Sequence, residues 1–350
     1  MKESRIGVLV EPIREMIYSH NDLMRQFRER TGVRIAAVAG DFVPAEIIAA
    51  MGLVPVRIPS FTAASGFYGS EAFESIRGAG WYDCIIVPDG FNEGEFLPDN
   101  IPVFEFTVPA GYGQEHSVAL HNEIGRMLEF LDLPELKTID ISKLQKITGE
   151  YDTLRRLVRG IAGLRQSKPD LLSNRDILTL LDSGTVFPPA MITEKFAGIL
   201  SAMNEGTGSV TRECPAAMVH AGILSDGSVL DDIEEAGFIV TEDDLCNGRR
   251  QYDLSFNTAS EYLYYEILDA CSYRPLCPGI RPVEERYELL YRLIRNYGIE
   301  TVIFIRDLCS NSMISDIEYL RIKLMRTGVD PLVVDLDNMG DVLLEYINRR

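Results

Sequence analysis

Short, continuous apolar runs rich in β-branched residues occur in the first and last thirds of this chain. The runs are 35–39, 54–58, 83–87 and 102–108 in the first third, and 215–220, 238–240, 301–305 and 332–334 in the last. Runs without polar alternation are typical of strands buried on both faces of a parallel sheet. Helical stretches such as 43–52 and 314–326 separate them, as right-handed crossovers between parallel strands require. The pattern predicts an α/β protein.

The middle of the chain has a different pattern. Helical periodicity dominates from Gln114 to Gly206. Within 151–165, an apolar stripe at positions i, i+3, i+4 and i+7 predicts one buried helix face, made by Leu154, Leu157, Val158 and Ile161. Three arginines of this stretch lie off the stripe, and we expect them to form a solvated flank: Arg155, Arg156 and Arg159.

These patterns divide the chain into three regions. We expect an N-terminal α/β lobe over 1–113, a mainly helical segment over 114–206 and a C-terminal α/β lobe over 207–350. A length of 350 residues agrees with about two domains. The expected architecture is two parallel-sheet lobes that face a common cleft.

Charge and hydropathy exclude several classes of protein. The chain has 34 Lys and Arg against 53 Asp and Glu, so its formal net charge is 34 − 53 = −19. Such an acidic chain repels phosphate backbones, which argues against nucleic acid as the main partner. No apolar run approaches the roughly 18 residues of a membrane helix, and the N-terminus lacks the apolar core of a secretory signal. We therefore expect a cytoplasmic protein that does not interact with membranes.

Two of the six cysteines follow predicted strands of the C-terminal lobe. Cys246 comes after the run 238–240, and Cys309 comes after the run 301–305. Since parallel sheets bind ligands at the carboxyl ends of their strands, both thiols are candidates for one site, although two unrelated loop thiols would give the same pattern. The neighbouring arginines and free amides predict lowered pKa values and good thiolate ligands.

The remaining cysteines and the histidines are weaker candidates. No CxxC pair occurs, so a metal site must gather its ligands from distant segments. Cys277 lies close enough in the chain to reach the same sheet edge. We expect structural or surface roles for the other cysteines and for three of the histidines: Cys84, Cys214, Cys271, His116, His121 and His220.

Four segments of the chain resemble one family in order and at matching spacing. They are VAGDFVPAEIIAAMGLVPVRI (38–58), GEYDTLRRLVRGIAGLR (149–165), the run 216–250 that ends in DDLCNGRR, and the run 301–337 that begins with TVIFIRDLC. Together they resemble the subunits of 2-hydroxyacyl-CoA dehydratases and benzoyl-CoA reductases, including the D-component of 2-hydroxyglutaryl-CoA dehydratase.

The resemblance implies a fold, a cofactor and partners. Subunits of this family have Rossmann-like lobes that hold a four-iron, four-sulfur cluster, and Cys246 and Cys309 match two of its cysteine ligands. A related subunit is the usual partner, so a sibling chain or a second copy is expected here. An ATP-dependent activator injects a low-potential electron, which serves radical dehydration of a 2-hydroxyacyl-CoA or reduction of an aromatic acyl-CoA ring.

One position departs from the family pattern. The family's first cluster ligand lies in a loop after an N-terminal strand, and Phe91 aligns with that cysteine, followed by Asn92. Another donor, such as Cys277 or an oxygen ligand, would have to complete the cluster.

Three functions remain open at this point. The first is an iron–sulfur subunit that transfers electrons to a CoA thioester, acting as a lyase or an oxidoreductase. Alternatively, the chain is a non-catalytic relative, a partner subunit or acyl-CoA scaffold without a stable cluster. The third alternative is an unrelated two-lobed α/β protein that binds a small metabolite.

Overall fold

The fold is α/β, with two separate four-stranded sheets. The computed structural model describes residues 6–39, 42–58, 81–89, 100–109, 113–207, 214–224, 227–273, 283–309 and 311–349. The N-terminal sheet contains β1 (Arg34–Ala39), β2 (Leu53–Ile58), β3 (Cys84–Pro88) and β4 (Val103–Phe106). The C-terminal sheet contains β5 (Ala216–His220), β6 (Ile239–Asp244), β7 (Thr301–Ile305) and β8 (Asp330–Val334).

The two sheets share one topology. Their strand orders are β2-β1-β3-β4 and β6-β5-β7-β8, and every neighbouring pair is parallel. In each sheet, the strand that comes first in the chain, β1 or β5, lies between the second and the third. The chain therefore winds first to one side of that strand and then to the other. This confirms the prediction of two Rossmann-like lobes.

Helices surround the sheets and fill the middle of the chain. Those of the described residues are α1 (Glu11–Tyr18), α2 (His20–Thr31), α3 (Ala45–Ala50), α4 (Gln114–Phe130), α5 (Ile141–Ser167), α6 (Asn174–Val186), α7 (Pro189–Glu205), α8 (Ser228–Glu235), α9 (Leu263–Tyr273), α10 (Val283–Tyr297), α11 (Asn311–Met325) and α12 (Met339–Arg349). Within the described ranges, none of these helices is long and apolar enough to cross a membrane.

Three apolar clusters form the core. The largest joins one face of each sheet through α5, α6 and α7. The second covers the other face of the N-terminal sheet with α4 and with α9, which comes from the last third of the chain. The third buries the other face of the C-terminal sheet under α10 and α11. That last face carries both Met218 of β5 and Cys309.

Helix α5 connects the lobes, and its arginines differ from expectation. The Asp140 carboxylate caps it by accepting from the amides of Ser142 and Lys143. The apolar stripe is buried as predicted at Leu154, Val158 and Ile161, and Leu157 packs partly buried against the same cluster. The predicted solvated flank is wrong for Arg155, which is buried in an ion pair with Glu46 at the start of α3. Periodicity placed Arg155 off the apolar stripe, but a second lobe covers that side.

Candidate functional site

Two cysteine-bearing loops leave the C-terminal sheet at the same edge. Cys246 follows the end of β6, and Cys309 follows β7 after the short 3₁₀ turn Arg306–Leu308. Strand β5 lies between β6 and β7. The two loops therefore flank the point where the strand order reverses, which is where open parallel sheets bind ligands.

Backbone hydrogen bonds connect the two loops through Gly222, just beyond β5. The Cys246 amide donates to the Gly222 carbonyl at 2.7 Å, and the Gly222 amide donates to the Leu308 carbonyl at 2.6 Å. A Cβ at position 222 would clash with that same Leu308 carbonyl. Glycine at this position thus lets the two cysteine loops approach each other.

Cys309 is the deeply buried thiol of the pair. It is only 2% exposed, and its Sγ donates to the Ile305 carbonyl at 3.2 Å. Burial raises the pKa of Cys309 to about 12, although the nearby guanidiniums of Arg286 and Arg250 act in the opposite direction. The prediction of a lowered pKa is therefore wrong for Cys309, because desolvation outweighs the neighbouring positive charges.

Cys246 is half-buried, and both its side chain and its backbone are held in place. The Arg250 guanidinium donates from Nη1 to Cys246 Sγ at 3.3 Å. The Gln251 side-chain amide donates to the Cys246 carbonyl at 2.7 Å. The charge of a Cys246 thiolate would contribute to the raised pKa of Cys309, so the two sulfurs lie within electrostatic reach of each other.

A buried carboxylate organises the charges behind the cysteines. Asp244 accepts from Arg250 Nε at 2.5 Å, from Arg286 Nη2 at 3.0 Å and from His220 Nδ1 at 2.7 Å. We call these four residues the Asp244 cluster. Burial alone would raise the pKa of Asp244, but the Arg250 and Arg286 guanidiniums hold it well below its usual range. The carboxylate is therefore ionised and paired with two cations.

His220 is the neutral member of the Asp244 cluster. Burial lowers the pKa of His220 to about 4, despite its hydrogen bond to Asp244. Its ring also contacts Phe304, with centroids 4.8 Å apart. Protonation of this ring in acid is consequently unfavourable in the folded state and lowers the free energy of unfolding.

We expect His220→Gln to change the pH dependence of stability. Because the unfolded histidine takes up a proton near pH 6.5 and the folded one only near 4, wild type loses stability relative to the variant as pH falls through that window. The relative loss is about 3 kcal/mol at ~1.4 kcal/mol per pKa unit. Urea unfolding of both proteins between pH 4 and 7 measures it.

The raised pKa values of Asp182 and Glu242, both about 7, have the opposite effect on stability in the same range. Both groups are present in wild type and variant, so their contributions cancel in the comparison. A difference that stays constant with pH would show that His220 titrates normally.

The turn after Cys246 depends on Asn247 and Gly248. The Asn247 amide donates to the Leu224 carbonyl at 2.8 Å and to Asp182 at 3.0 Å, and its oxygen accepts from the Leu224 amide. Gly248 lies against the Asp243 carboxylate, where a Cβ would clash. The Asn-Gly pair, a turn signal in the sequence, thus fixes the loop against the rest of the lobe.

The cysteine loop also contacts the N-terminal lobe. Arg57, near the end of β2, hydrogen-bonds Gln251, the residue that donates to Cys246. Arg159 of α5 donates to the carbonyls of Tyr252 and Leu254, each at 2.7 Å. A cavity of about 40 Å³ lies among Arg57, Gln251, Tyr252 and residues of α5 and α6. Three of the four segments with family resemblance therefore meet beside Cys246.

The other candidate residues are either outside the described part of the chain or away from the two cysteine loops. Cys277, Phe91 and Asn92 are outside the described residues. Cys84 is buried inside β3, Cys214 precedes β5, and Cys271 lies on α9 in the second core cluster.

The two candidate histidines of the helical segment, His116 and His121, both lie on α4. His116 is buried, and His121 hydrogen-bonds the Tyr264 hydroxyl through Nδ1 at 2.5 Å. His121 borders a groove of about 940 Å³ between α4 and α9, and the described residues that line the groove do not include any of the cysteine loops.

Sequence reasoning missed the Asp244 cluster. Arg250 lies close to Cys246 in the chain, so the CNGRR run carried a signal for it. Arg286 lies on α10, 36 positions after Arg250, and the sequence around it has the pattern of an ordinary amphipathic helix. Only the fold of α10 over the sheet brings this cation to Asp244.

The two sulfur donors fit an iron–sulfur centre in kind but not in number. Cysteine thiolates are the usual ligands of such clusters, and Cys246 and Cys309 provide two on neighbouring loops. Across the described ranges, no group of three His, Cys, Asp or Glu side chains is arranged to hold a metal ion. Further donors are needed to complete a cluster here.

Comparison with known proteins supports the family resemblance. A family described as 2-hydroxyglutaryl-CoA dehydratase, D-component, matches residues 93–348. The match includes both cysteine loops and α5, whereas the similar segment at 38–58 lies before it. No curated protein matches the chain.

One solved structure with partial similarity is the Streptococcus pneumoniae AdcAII protein. It is 12% identical, with 89% of this chain and 97% of that chain covered and a TM-score of 0.20. A score this low carries no argument about fold or function.

The family match extends over more than two thirds of the 350 residues. The chain belongs to the 2-hydroxyglutaryl-CoA dehydratase D-component family.

Proposed function

We propose that this chain is an iron–sulfur subunit of a 2-hydroxyacyl-CoA dehydratase-like enzyme, with Cys246 and Cys309 as two of the cluster ligands. The observation that carries the proposal is the convergence of two cysteine loops on one sheet edge, joined through Gly222. Family membership supports the same assignment. A bound cluster would supply low-potential one-electron transfer to a CoA thioester.

The surroundings of the two cysteines support this assignment. Cys309 is almost completely buried, so one ligand is shielded from water. Its raised pKa means that metal binding must displace the thiol proton, which makes metal affinity dependent on pH. The guanidiniums of Arg250 and Arg286 favour the thiolate of Cys309, and Arg250 also donates a hydrogen bond to Cys246 Sγ. Together these groups stabilise negative sulfur in a place where burial opposes it.

The proposed partners follow from the family. A related subunit or a second copy of this chain, an ATP-dependent activator and an acyl-CoA are the expected interaction partners. Radical dehydration of a 2-hydroxyacyl-CoA is the preferred reaction, with reduction of an aromatic acyl-CoA ring as the alternative.

A non-catalytic scaffold without a stable cluster is the second candidate. The observation in its favour is that the described residues provide two sulfur donors but no set of three metal-binding side chains. The alignment of Phe91 with a family cysteine favours the scaffold as well. If Cys277 serves as an additional cluster ligand, it favours the iron–sulfur subunit instead. Iron binding distinguishes the two candidates.

Cysteine substitution tests the ligand assignment. We expect Cys246→Ser and Cys309→Ser each to lose most of the iron that the full-chain protein binds after anaerobic reconstitution with iron and sulfide, since each removes a thiolate ligand. Cys84→Ser and Cys214→Ser are matched controls that should keep it, because these cysteines lie away from the sheet edge. Equal iron in all four variants would contradict the assignment.

A further inference from the structure

Arg250 donates hydrogen bonds in three directions, and one of them reaches a sulfur. Its Nε contacts the Asp244 carboxylate at 2.5 Å, its Nη2 contacts the Asp244 carbonyl at 2.6 Å, and its Nη1 contacts Cys246 Sγ at 3.3 Å. The side chain is buried. Two bonds to Asp244 therefore fix the plane of the guanidinium and direct its third donor at the sulfur.

Asp244 is itself held rigidly. Its second carboxylate oxygen accepts from Arg286 at 3.0 Å and from His220 at 2.7 Å. Asp244 is 2% exposed, so water does not compete for these bonds. The carboxylate has no freedom to rotate away from Arg250 without leaving a buried cation behind.

We propose that Arg250 tunes the sulfur of Cys246 and that Asp244 is the positioning residue that aims it. The inference rests on the proposed function, because the tuned sulfur is the proposed cluster ligand. Hydrogen bonds to ligand sulfur and local net charge are two of the properties that set the reduction potential of iron–sulfur centres. An N–H donor and a positive charge at Cys246 both favour the reduced, more negative state. They therefore raise the reduction potential.

The shape of arginine matters beyond its charge. A guanidinium has several donors in a fixed plane, whereas a lysine ammonium is a single point on a flexible stem. Lysine at position 250 keeps the positive charge but cannot bond Asp244 twice and Cys246 at the same time. Arg250→Lys therefore isolates the directed hydrogen bond from the net charge.

Redox titration of the reconstituted full-chain protein, followed by electron paramagnetic resonance, tests the proposal. We expect the midpoint potential to shift to more negative values in Arg250→Lys and in Asp244→Glu, because both variants keep the local charge but misdirect the guanidinium donor or remove it. Arg249→Lys is the matched control, because this arginine contacts Glu242 and Tyr297 instead of a sulfur. A potential in Arg250→Lys equal to that of wild type overturns the inference.

A second measurement uses the metal-free protein and does not depend on the cluster. The rate of Cys246 alkylation by iodoacetamide at pH 7, followed by mass spectrometry, should fall severalfold in Arg250→Lys, because the thiolate loses a directed donor. Arg249→Lys should react like wild type. An alkylation rate in Arg250→Lys equal to that of wild type overturns the inference, even if neither wild type nor the variants bind iron. Failure of wild type to bind iron overturns only the proposed function.

Discussion

Replacing Glu46 by glutamine is expected to lower the free energy of unfolding by about 3–5 kcal/mol, the usual cost of removing one partner from a buried ion pair. Glu46 and its partner Arg155 are both nearly inaccessible to water. The nearest other carboxylate, Asp152, lies 3.5 Å from Arg155 at the limit of hydrogen bonding. The substitution therefore leaves the Arg155 cation buried without adequate compensation.

Denaturant unfolding of the variant beside Glu345→Gln measures this effect. Glu345 pairs with Arg349 on the exposed surface of α12, so its removal should leave stability unchanged. The double variant Glu46→Leu with Arg155→Met should recover part of the loss, because it removes both charges of the pair together. A Glu46→Gln protein as stable as wild type would mean that the buried pair does not form.

Replacing Gly222 by alanine is expected to disturb both cysteine loops at once. The added Cβ would meet the Leu308 carbonyl, which accepts the Gly222 amide. Because that contact is with backbone, relief requires the Cys309 loop to move away from the Cys246 loop. We expect a loss of about 1–3 kcal/mol in unfolding free energy, as for other overpacked positions, together with a marked loss of bound iron.

Gly163→Ala provides the control for Gly222→Ala. Gly163 lies within α5, and a Cβ there meets nothing within 4 Å. Alanine is favoured over glycine inside a helix by about 1 kcal/mol, so this variant should be at least as stable as wild type and bind as much iron. Iron binding by Gly222→Ala at the level of Gly163→Ala would show that the loops do not need their close approach.

Much of the fold could be predicted from local pattern. The continuous apolar runs became strands β1–β8, and the inner strands β1, β3, β5 and β7 are buried almost throughout, since strands covered on both faces have no polar side to display. Prediction failed where a second element decided the environment. Arg155 and the thiol of Cys309 both have ordinary local sequences, and their burial depends on packing between segments far apart in the chain.

The candidate site shows the same limit. Cys246 and Cys309 could be selected because each follows a strand and parallel strands end at one edge. Their charged surroundings could not be predicted, because Arg286 and His220 come from separate elements and meet only at Asp244. Helical and strand periodicities state which side of an element is buried, but not which other element covers it.

Iron and acid-labile sulfide per chain, measured on full-chain protein purified without oxygen and reconstituted, show whether Cys246 and Cys309 hold a cluster. We expect a brown protein with iron and sulfide in similar amounts, lost together in the Cys246→Ser, Cys309→Ser double variant. Colourless wild-type protein without iron after reconstitution would contradict this expectation and favour the scaffold.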